Sequence, residues 1–285
     1  MKELDFIEII KQQVNDSYIG DDCAYLEDLG IVVTQDNFVE NIHFRTDWAT
    51  PFQIGYKATV VNISDILAAG AKPAYITVGL ALPSYIDKGF VKELYKGINA
   101  GLYGAKIIGG DITGGESIMI SITAIGTTKG RSISSRSAAK PGQVVITNKP
   151  HGQSLLGLKE LINKGNNQDL ITAHLEPVLD VEFSERISTR INTKYAMMDS
   201  SDGLADALFK IAKASNVKIV ADLVDGMFGA EDYNLVAVLP KEFLLNLDNY
   251  IIIGEVVPFD GYFVKIGDRE YKTYDELGLY EHFGD

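Results

Sequence analysis

The sequence predicts a mixed α+β protein of two lobes, on three observations. At 285 residues the chain is too long for one ordinary core and comfortable for two. Helix-like and strand-like stretches are mixed without the strict βαβ regularity of a doubly wound sheet. Between Ser132 and Gly142 the texture turns to Ser, Ala, Lys, Pro and Gly, the composition of a connector. The expected lobes are residues 1–135 and 136–285.

Taken in order, Ile31–Thr34 is a short β-branched run ending at Gln35-Asp36. Thr50-Pro51 is a helix start, with a hydroxyl cap before a proline at the first helical position. That helix is predicted to reach Ala69 and stop at Gly70, with Pro73 just beyond. Tyr75–Leu82 reads as a strand. Asp87–Tyr103 reads as an amphipathic helix carrying Phe90, Leu94, Ile98 and Leu102 at four-residue spacing. Lys106–Ile108 is a short strand running into Gly109-Gly110-Asp111, and Met119–Ile125 is another. Past the connector, strands are expected at Val144–Thr147, Tyr195–Met198, Lys218–Leu223, Leu235–Leu239 and Ile251–Val256. Helices are expected at Ser154–Lys164, Val181–Thr189 and Leu204–Ala214.

The composition is globular, 46% apolar and 23% charged. No apolar run approaches the ~20 residues of a membrane span, and the charged Met1–Asp5 start has no apolar signal core behind it. The lone Cys23 cannot form an internal disulfide. A cytoplasmic location and no membrane partner are the expectations. The formal charge of −13 argues against nucleic acid, whose binding requires clustered Lys and Arg.

The placement of the aspartates is the strongest chemical signal. Asp21-Asp22 follow Gly20, Asp36 ends an apolar run, Asp111 follows two glycines, and Asp199 and Asp202 bracket Ser200-Ser201 after Ala196-Met197-Met198. Asp65 falls inside a helix on the face of Val61 and Ala69, where a buried charge must be paired or coordinated. Each alone is compatible with turn or cap chemistry. Together they suggest an oxygen-rich cage of the kind that suits Mg2+. Other chemistries are weaker. His43, His151, His174 and His282 show no zinc spacing, Cys23 beside Ala24 reads as a small packed residue, and neither G-x-x-x-x-G-K-[ST] nor G-x-G-x-x-G after a strand is present. Gly109-Gly110 and Gly114-Gly115 around Asp111 suit close backbone approach to a phosphate, or plain turns.

In order, the chain carries Gly20-Asp21-Asp22-Cys23-Ala24, Asp36–Phe44 (DNFVENIHF), Val61-Asn62-Ile63-Ser64-Asp65, Gly109-Gly110-Asp111, Arg136–Gly142 (RSAAKPG), Asp199-Ser200-Ser201-Asp202-Gly203-Leu204 and Ala230-Glu231-Asp232-Tyr233. This series resembles the thiamine-monophosphate kinase family, within the superfamily that includes aminoimidazole ribonucleotide synthetase and selenophosphate synthetase. The resemblance covers nearly the whole chain, and seven short motifs in the right order are specific together. It implies an ATP- and Mg2+-binding N-terminal lobe that pairs with its twin in a homodimer, forming a β-barrel-like core, and a C-terminal α+β lobe. By matching position it implies Asp22, Thr34, Gln35, Asp36, Asp65, Asp111, Asp199 and Asp202 as metal ligands. Gly110, Asp111, Arg136 and Ser201 would contact ATP, and His43, Glu231 and Tyr280 would contact thiamine monophosphate. The implied reaction is direct in-line transfer of the γ-phosphate onto a phosphate acceptor that is already ionised, with no side-chain nucleophile.

Five features depart from the family pattern. Gln35 stands where a small hydroxyl residue is usual, Ala230 and Asn41 replace glycines, and the stretch between Leu204 and Glu231 is short, as is the C-terminal lobe. Two alternatives remain open: another ATP-using enzyme of the superfamily, in purine or selenophosphate synthesis, or a non-catalytic nucleotide- and Mg2+-binding dimer.

Overall fold

The computed structural model describes residues 3–14 and 18–279; Tyr280, assigned above to the substrate, lies outside the described residues. Helix α1 (Glu3–Val14) comes first, followed by β1 (Ala24–Leu26), β2 (Ile31–Val39), α2 (Pro51–Ala68), β3 (Lys72–Leu82), α3 (Lys88–Ala100), β4 (Lys106–Gly114) and β5 (Met119–Thr127). A 3-10 turn at Arg136–Ala138 precedes the remaining elements. These are β6 (Val144–Thr147), α4 (Gln153–Asn163), α5 (Gln168–Leu175), α6 (Val181–Arg190), β7 (Ala196–Asp199), α7 (Leu204–Ser215), β8 (Val217–Ala221), β9 (Leu235–Leu239), β10 (Ile251–Pro258), β11 (Val264–Ile266) and β12 (Arg269–Tyr271).

The α+β expectation holds. One sheet has the order β1-β2-β5-β3-β4 and the other β12-β11-β8-β10-β6-β9-β7. Pairing is antiparallel except for β3 with β4 and β8 with β11. Neither sheet closes into a barrel among the described residues.

Helix α2 is the spine. Thr50 caps it with its side chain on the Gln53 N–H, Gln53 returns the bond, and Pro51 occupies the first turn. Its residues are buried on nearly every side, as expected of a helix enclosed by other elements. It packs on β2 and β5 of the first sheet and on β7 and β9 of the second. One apolar core, containing Ile63, Ile122, Ile146 and Met197, therefore spans both sheets. A second core lies under α7, around Leu208, Ile219 and Val236. Helix α3 crosses α2 closely: a side chain at Gly55 would strike the Leu94 carbonyl, and one at Gly97 the Phe52 carbonyl.

Two strands run further than their sequence suggests. β2 continues through Asp36 to Val39 because β5 pairs with it along its whole length. β4 continues through Gly109-Gly110-Asp111 to Gly114, because β3 supplies a parallel ladder. Asp36 and Asp111 are thus mid-strand residues, and the glycine stretch lies on a sheet edge. Gly110 is required by the ladder itself, since any side chain there would collide with Val78 O.

Candidate active site

Four segments converge at one end of α2. From the Gly20–Cys23 segment comes Asp22, from β2 come Thr34 and Asp36, from α2 come Asn62, Ser64 and Asp65, and from the end of β7 comes Asp199. Ligand oxygens of Asp22, Asp65 and Asp199 lie within 4.8 Å of one another. Each carboxylate is held. Thr34 Oγ1 donates to Asp65 Oδ2 (2.6 Å), Ser64 Oγ donates to Asp199 Oδ2 (2.6 Å), and Ser201 Oγ donates to Asp199 Oδ1 (3.0 Å). The Asp36 N–H donates to Asn62 Oδ1 (3.0 Å). The buried Oδ2 of Asp36 has no hydrogen-bond partner among the described residues.

The electrostatics are those of crowded like charges. Burial, then the carboxylates of Asp202 and Asp22, pushes Asp36 up to about 6. Burial, then Asp22, pushes Asp199 up to about 7 against the pull of Ser64 and Ser201. Asp65 opens to solvent only at its rim, and burial together with Asp36, Asp199 and Asp22 raises it well above the carboxylate range. The same surroundings raise the buried Cys23 thiol, so this residue is packing and not a nucleophile. An all-oxygen set with an orphaned buried carboxylate oxygen fits a hard divalent cation such as Mg2+.

Two cations border the cluster. Arg136 pairs with Asp22 (2.8 Å), and its own N–H donates to Asp21 Oδ1 (2.7 Å). Lys210 pairs with Asp202 (2.9 Å) and with the buried Asp206 (3.0 Å), which also accepts from Tyr274 OH (2.7 Å).

Not every sequence-assigned residue joins the cluster. Gln35 points to the opposite face of the sheet, bonded to Ser121 and Thr123 (3.3 and 3.0 Å). Through the register Asp36–Ile122–Val78–Gly110, Gly110 lies three strands from Asp36, or roughly 14 Å. Asp111 is one residue further on and shares the outer face with Gly79 and Ser121. In the single chain both stand apart from the cage.

His43 and Glu231 meet in a separate cavity of about 340 Å³, also lined by Phe38, Trp48, Lys57 and His174. Its walls are the turn after β2, the first half of α2, α5 and the 230–233 loop. Asn41, at φ 64°, explains one departure from the family pattern, since Asn tolerates the left-handed conformation that glycine otherwise supplies. His43 Nδ1 accepts from the Val39 N–H (3.1 Å), which fixes its ring beside Phe38. Glu231 is itself left-handed (φ 65°), and its N–H donates to Ser201 O (2.7 Å), joining the cavity to the loop after Asp199. Asp232 holds that loop by accepting from Gly152 and Ser154 N–H at the start of α4. Sequence reasoning missed Lys57 and His174. The signal for Lys57 was present: a lysine inside a helix apolar on all sides has no solvent to face.

Residues 20–128 match the family described as AIR synthase related protein, N-terminal domain. The thiamine-monophosphate kinase of Corynebacterium glutamicum is 36% identical over 77% of this chain and 70% of its own length. That of Synechococcus elongatus is 32% identical, over 88% of this chain and 87% of its own. A solved structure described as AaThiL complexed with AMPPCP and TMP superposes with a TM-score of 0.87 at 28% identity, covering 99% of this chain and 97% of that one. The thiamine monophosphate kinase structure from Aquifex aeolicus gives 0.81 at 28% identity, covering 94% of this chain and 98% of that one. With this identity sustained over most of both chains, and with the aspartate cluster and cavity in place, the chain belongs to the thiamine-monophosphate kinase family.

Proposed function

We propose that this protein transfers the γ-phosphate of ATP to thiamine monophosphate, forming thiamine diphosphate, the last step in making that cofactor. The observation that carries this reading is the pairing of two sites along α2: an oxygen-only carboxylate cluster at Asp65 and an aromatic-walled cavity with a carboxylate at Glu231. The likeness to a structure described with AMPPCP and TMP supports the same pair of ligands.

Asp22, Asp36, Asp65 and Asp199 would hold Mg2+, with Asp202 released from Lys210 to join them. When bound, Mg2+ supplies charge neutralisation between two anionic phosphates and alignment for in-line attack. Thr34, Ser64 and Ser201 keep the carboxylates oriented toward the cluster's centre. Arg136, paired with Asp22 at the border of the cage, contacts the nucleotide phosphates. Phe38 and Trp48 enclose the flat rings of the acceptor, and Glu231 accepts hydrogen bonds from its cationic end. The acceptor phosphate is already ionised at neutral pH, so no general base and no phosphoenzyme are needed.

The dimer belongs to this reading. The first sheet leaves its β4 edge unpaired among the described residues, with Ile108 and Ile112 exposed. Pairing this sheet with its twin covers that edge and carries Gly110 and Asp111 into the contact, which is how they would join a nucleotide site. Sedimentation at micromolar concentration is expected to give twice the 31.2 kDa chain mass; a monomer that remains active would rule the dimer out of the mechanism.

The reaction is tested by following thiamine diphosphate from ATP and Mg2+ with thiamine monophosphate, free thiamine or no acceptor. Product is expected with the monophosphate alone. Product from a purine-pathway acceptor instead would move the chain to a sister activity. His43→Ala is expected to raise KM for thiamine monophosphate roughly tenfold while leaving that for ATP nearly unchanged. Equal changes in both would place His43 on the wrong side of the cleft.

A further inference from the structure

Lys57 takes no part in the proposed reaction, yet its position is unusual. It sits on α2 with a side chain only 3% exposed, and its Nζ is 3.2 Å from Glu231 Oε1. It lines the same cavity as His43 and Glu231. A lysine buried to this degree is retained only where a partner compensates its charge.

Three roles are open to a buried cavity lysine: it binds the reacting phosphates, it acts as a base, or it holds another residue. The first fails on distance. Lys57 and Asp65 are eight residues apart on one helix, about 12 Å along its axis at the standard rise. Among the described residues the ion pair of Lys57 is with Glu231, not with a carboxylate of the cluster. The second fails on need, because an ionised phosphate acceptor gives up no proton. The third matches the contacts. Glu231 is half-buried, with its side chain 25% exposed, and burial pushes such a carboxylate up unless a cation stands beside it.

We propose that Lys57 is a positioning residue that fixes the Glu231 carboxylate in the cavity wall, so that the site selects acceptors whose ring end offers hydrogen-bond donors and positive charge. This inference rests on the proposed function for the identity of the acceptor, though not for the Lys57–Glu231 pair itself. The groups facing Glu231 agree on its charge. Lys57 comes from α2, His174 Nδ1 from α5 at 3.6 Å, Tyr233 OH from the same loop at 3.5 Å, and His43 from the turn after β2. The neighbouring Asp232 opposes them, and it is occupied with the α4 backbone. Despite burial, Glu231 is held below the usual glutamate range, chiefly by Lys57 and then by His174. Burial lowers the Lys57 ammonium below the usual lysine range and Glu231 pulls it back up, so each partner favours the charged form of the other; His174, buried near Lys57, falls to about 4. The arrangement also leaves Glu231 Oε2 on the side away from Lys57, with only the longer His174 approach.

The test uses the full-length protein carrying Lys57→Met, Lys57→Gln, Glu231→Gln or Lys57→Met with Glu231→Gln. Thermal melting identifies the folded variants. Two readouts follow: binding of thiamine monophosphate against binding of ATP, and the pH titration of 13C-labelled glutamate carboxyls by NMR, with Glu231 assigned from its Gln variant. The expected result is that removing Lys57 moves the Glu231 titration up into the neutral range. Thiamine monophosphate binding should weaken roughly tenfold or more near pH 6.5 and recover partly at pH 8.5, with ATP binding unchanged. The double variant should bind no more weakly than Glu231→Gln alone. A Glu231 titration unmoved in both Lys57 variants would overturn the proposal, as would a loss shared equally by ATP and acceptor at every pH. If the wild-type protein neither binds nor phosphorylates thiamine monophosphate, the proposed function fails, while the carboxyl titration still decides whether Lys57 fixes Glu231.

Discussion

Asp65→Asn is expected to reduce turnover by about 10³-fold, a loss of the size seen when one preorganised electrostatic group is removed from a reaction centre. The substitution keeps the shape of the side chain and an oxygen able to accept from Thr34, so the fold is expected to persist. What disappears is one of three carboxylates whose ligand oxygens lie within 4.8 Å of one another. That loss has a second consequence, readable without turnover. In the metal-free protein the substitution relieves repulsion among Asp36, Asp199 and Asp22, so the variant should melt at a higher temperature than wild type. In Mg2+ the order should reverse, because wild type gains more from binding. Calorimetric scans with and without Mg2+ check this; near-normal turnover at saturating Mg2+ would remove Asp65 from the cage.

The same crowding predicts an unusual pH dependence for the metal-free protein. Asp36, Asp65 and Asp199 all have folded-state values raised above the unfolded carboxylate range. Between about pH 4 and 7 the folded chain therefore binds more protons than the unfolded one, and stability falls as pH rises through that window. A tenfold change in the proton affinity of one carboxylate on folding is worth about 1.4 kcal/mol, so the combined loss is on the order of several kcal/mol. Two histidines act in the opposite sense. His151 and His174 are each lowered to about 4 by burial, so they remove stability as pH falls from about 6.5 toward 4. Between pH 6.5 and 8 the unfolded histidines shed their remaining protons and offset the carboxylates only in part. Chemical denaturation in EDTA should accordingly show stability increasing from pH 8 to pH 6.5. Replacing EDTA with roughly 5 mM Mg2+, a saturating level for weak carboxylate sites, should abolish the trend. Flat stability over that range in EDTA would mean the carboxylates are not crowded in solution.

Much of this architecture was legible in the sequence because local signals and tertiary context agreed. Helix α2 is framed by Thr50-Pro51 and Gly70; it begins at Pro51 and ends at Ala68, one residue short of the expected Ala69. β6 and β9 are continuous apolar runs, buried at every position, and their limits match the reading. The misreadings share a cause. Asp36 and Gly109–Gly114 look like strand ends by composition, but β5 and β3 offer complete ladders, and partner hydrogen bonds outweigh weak strand preference. Helix α5 is eight residues long, too short for periodicity to reveal, and it brings His174 to the cavity.

The aspartates of the cage were readable because carboxylates beside apolar runs conflict with burial. Asp22, Asp65 and Asp199, far apart in sequence, do come together. Lys57 was passed over because a lysine in a helix is ordinarily a solvated residue; the apolar residues all round α2 were the contrary signal, and the closure of α2 between two sheets buries it. Gly110 and Asp111 mark the limit of a single chain: no property of their motif says that three strands separate them from Asp36.

The most direct test of the central claim is a single-turnover experiment with γ-labelled ATP, thiamine monophosphate and Mg2+, quenched in acid at intervals. The label is expected to pass from ATP into thiamine diphosphate at one rate, with none bound to protein at any time and none transferred in EDTA. Label accumulating on the protein would contradict direct transfer, and bound ATP that never yields labelled thiamine diphosphate would contradict the kinase assignment itself.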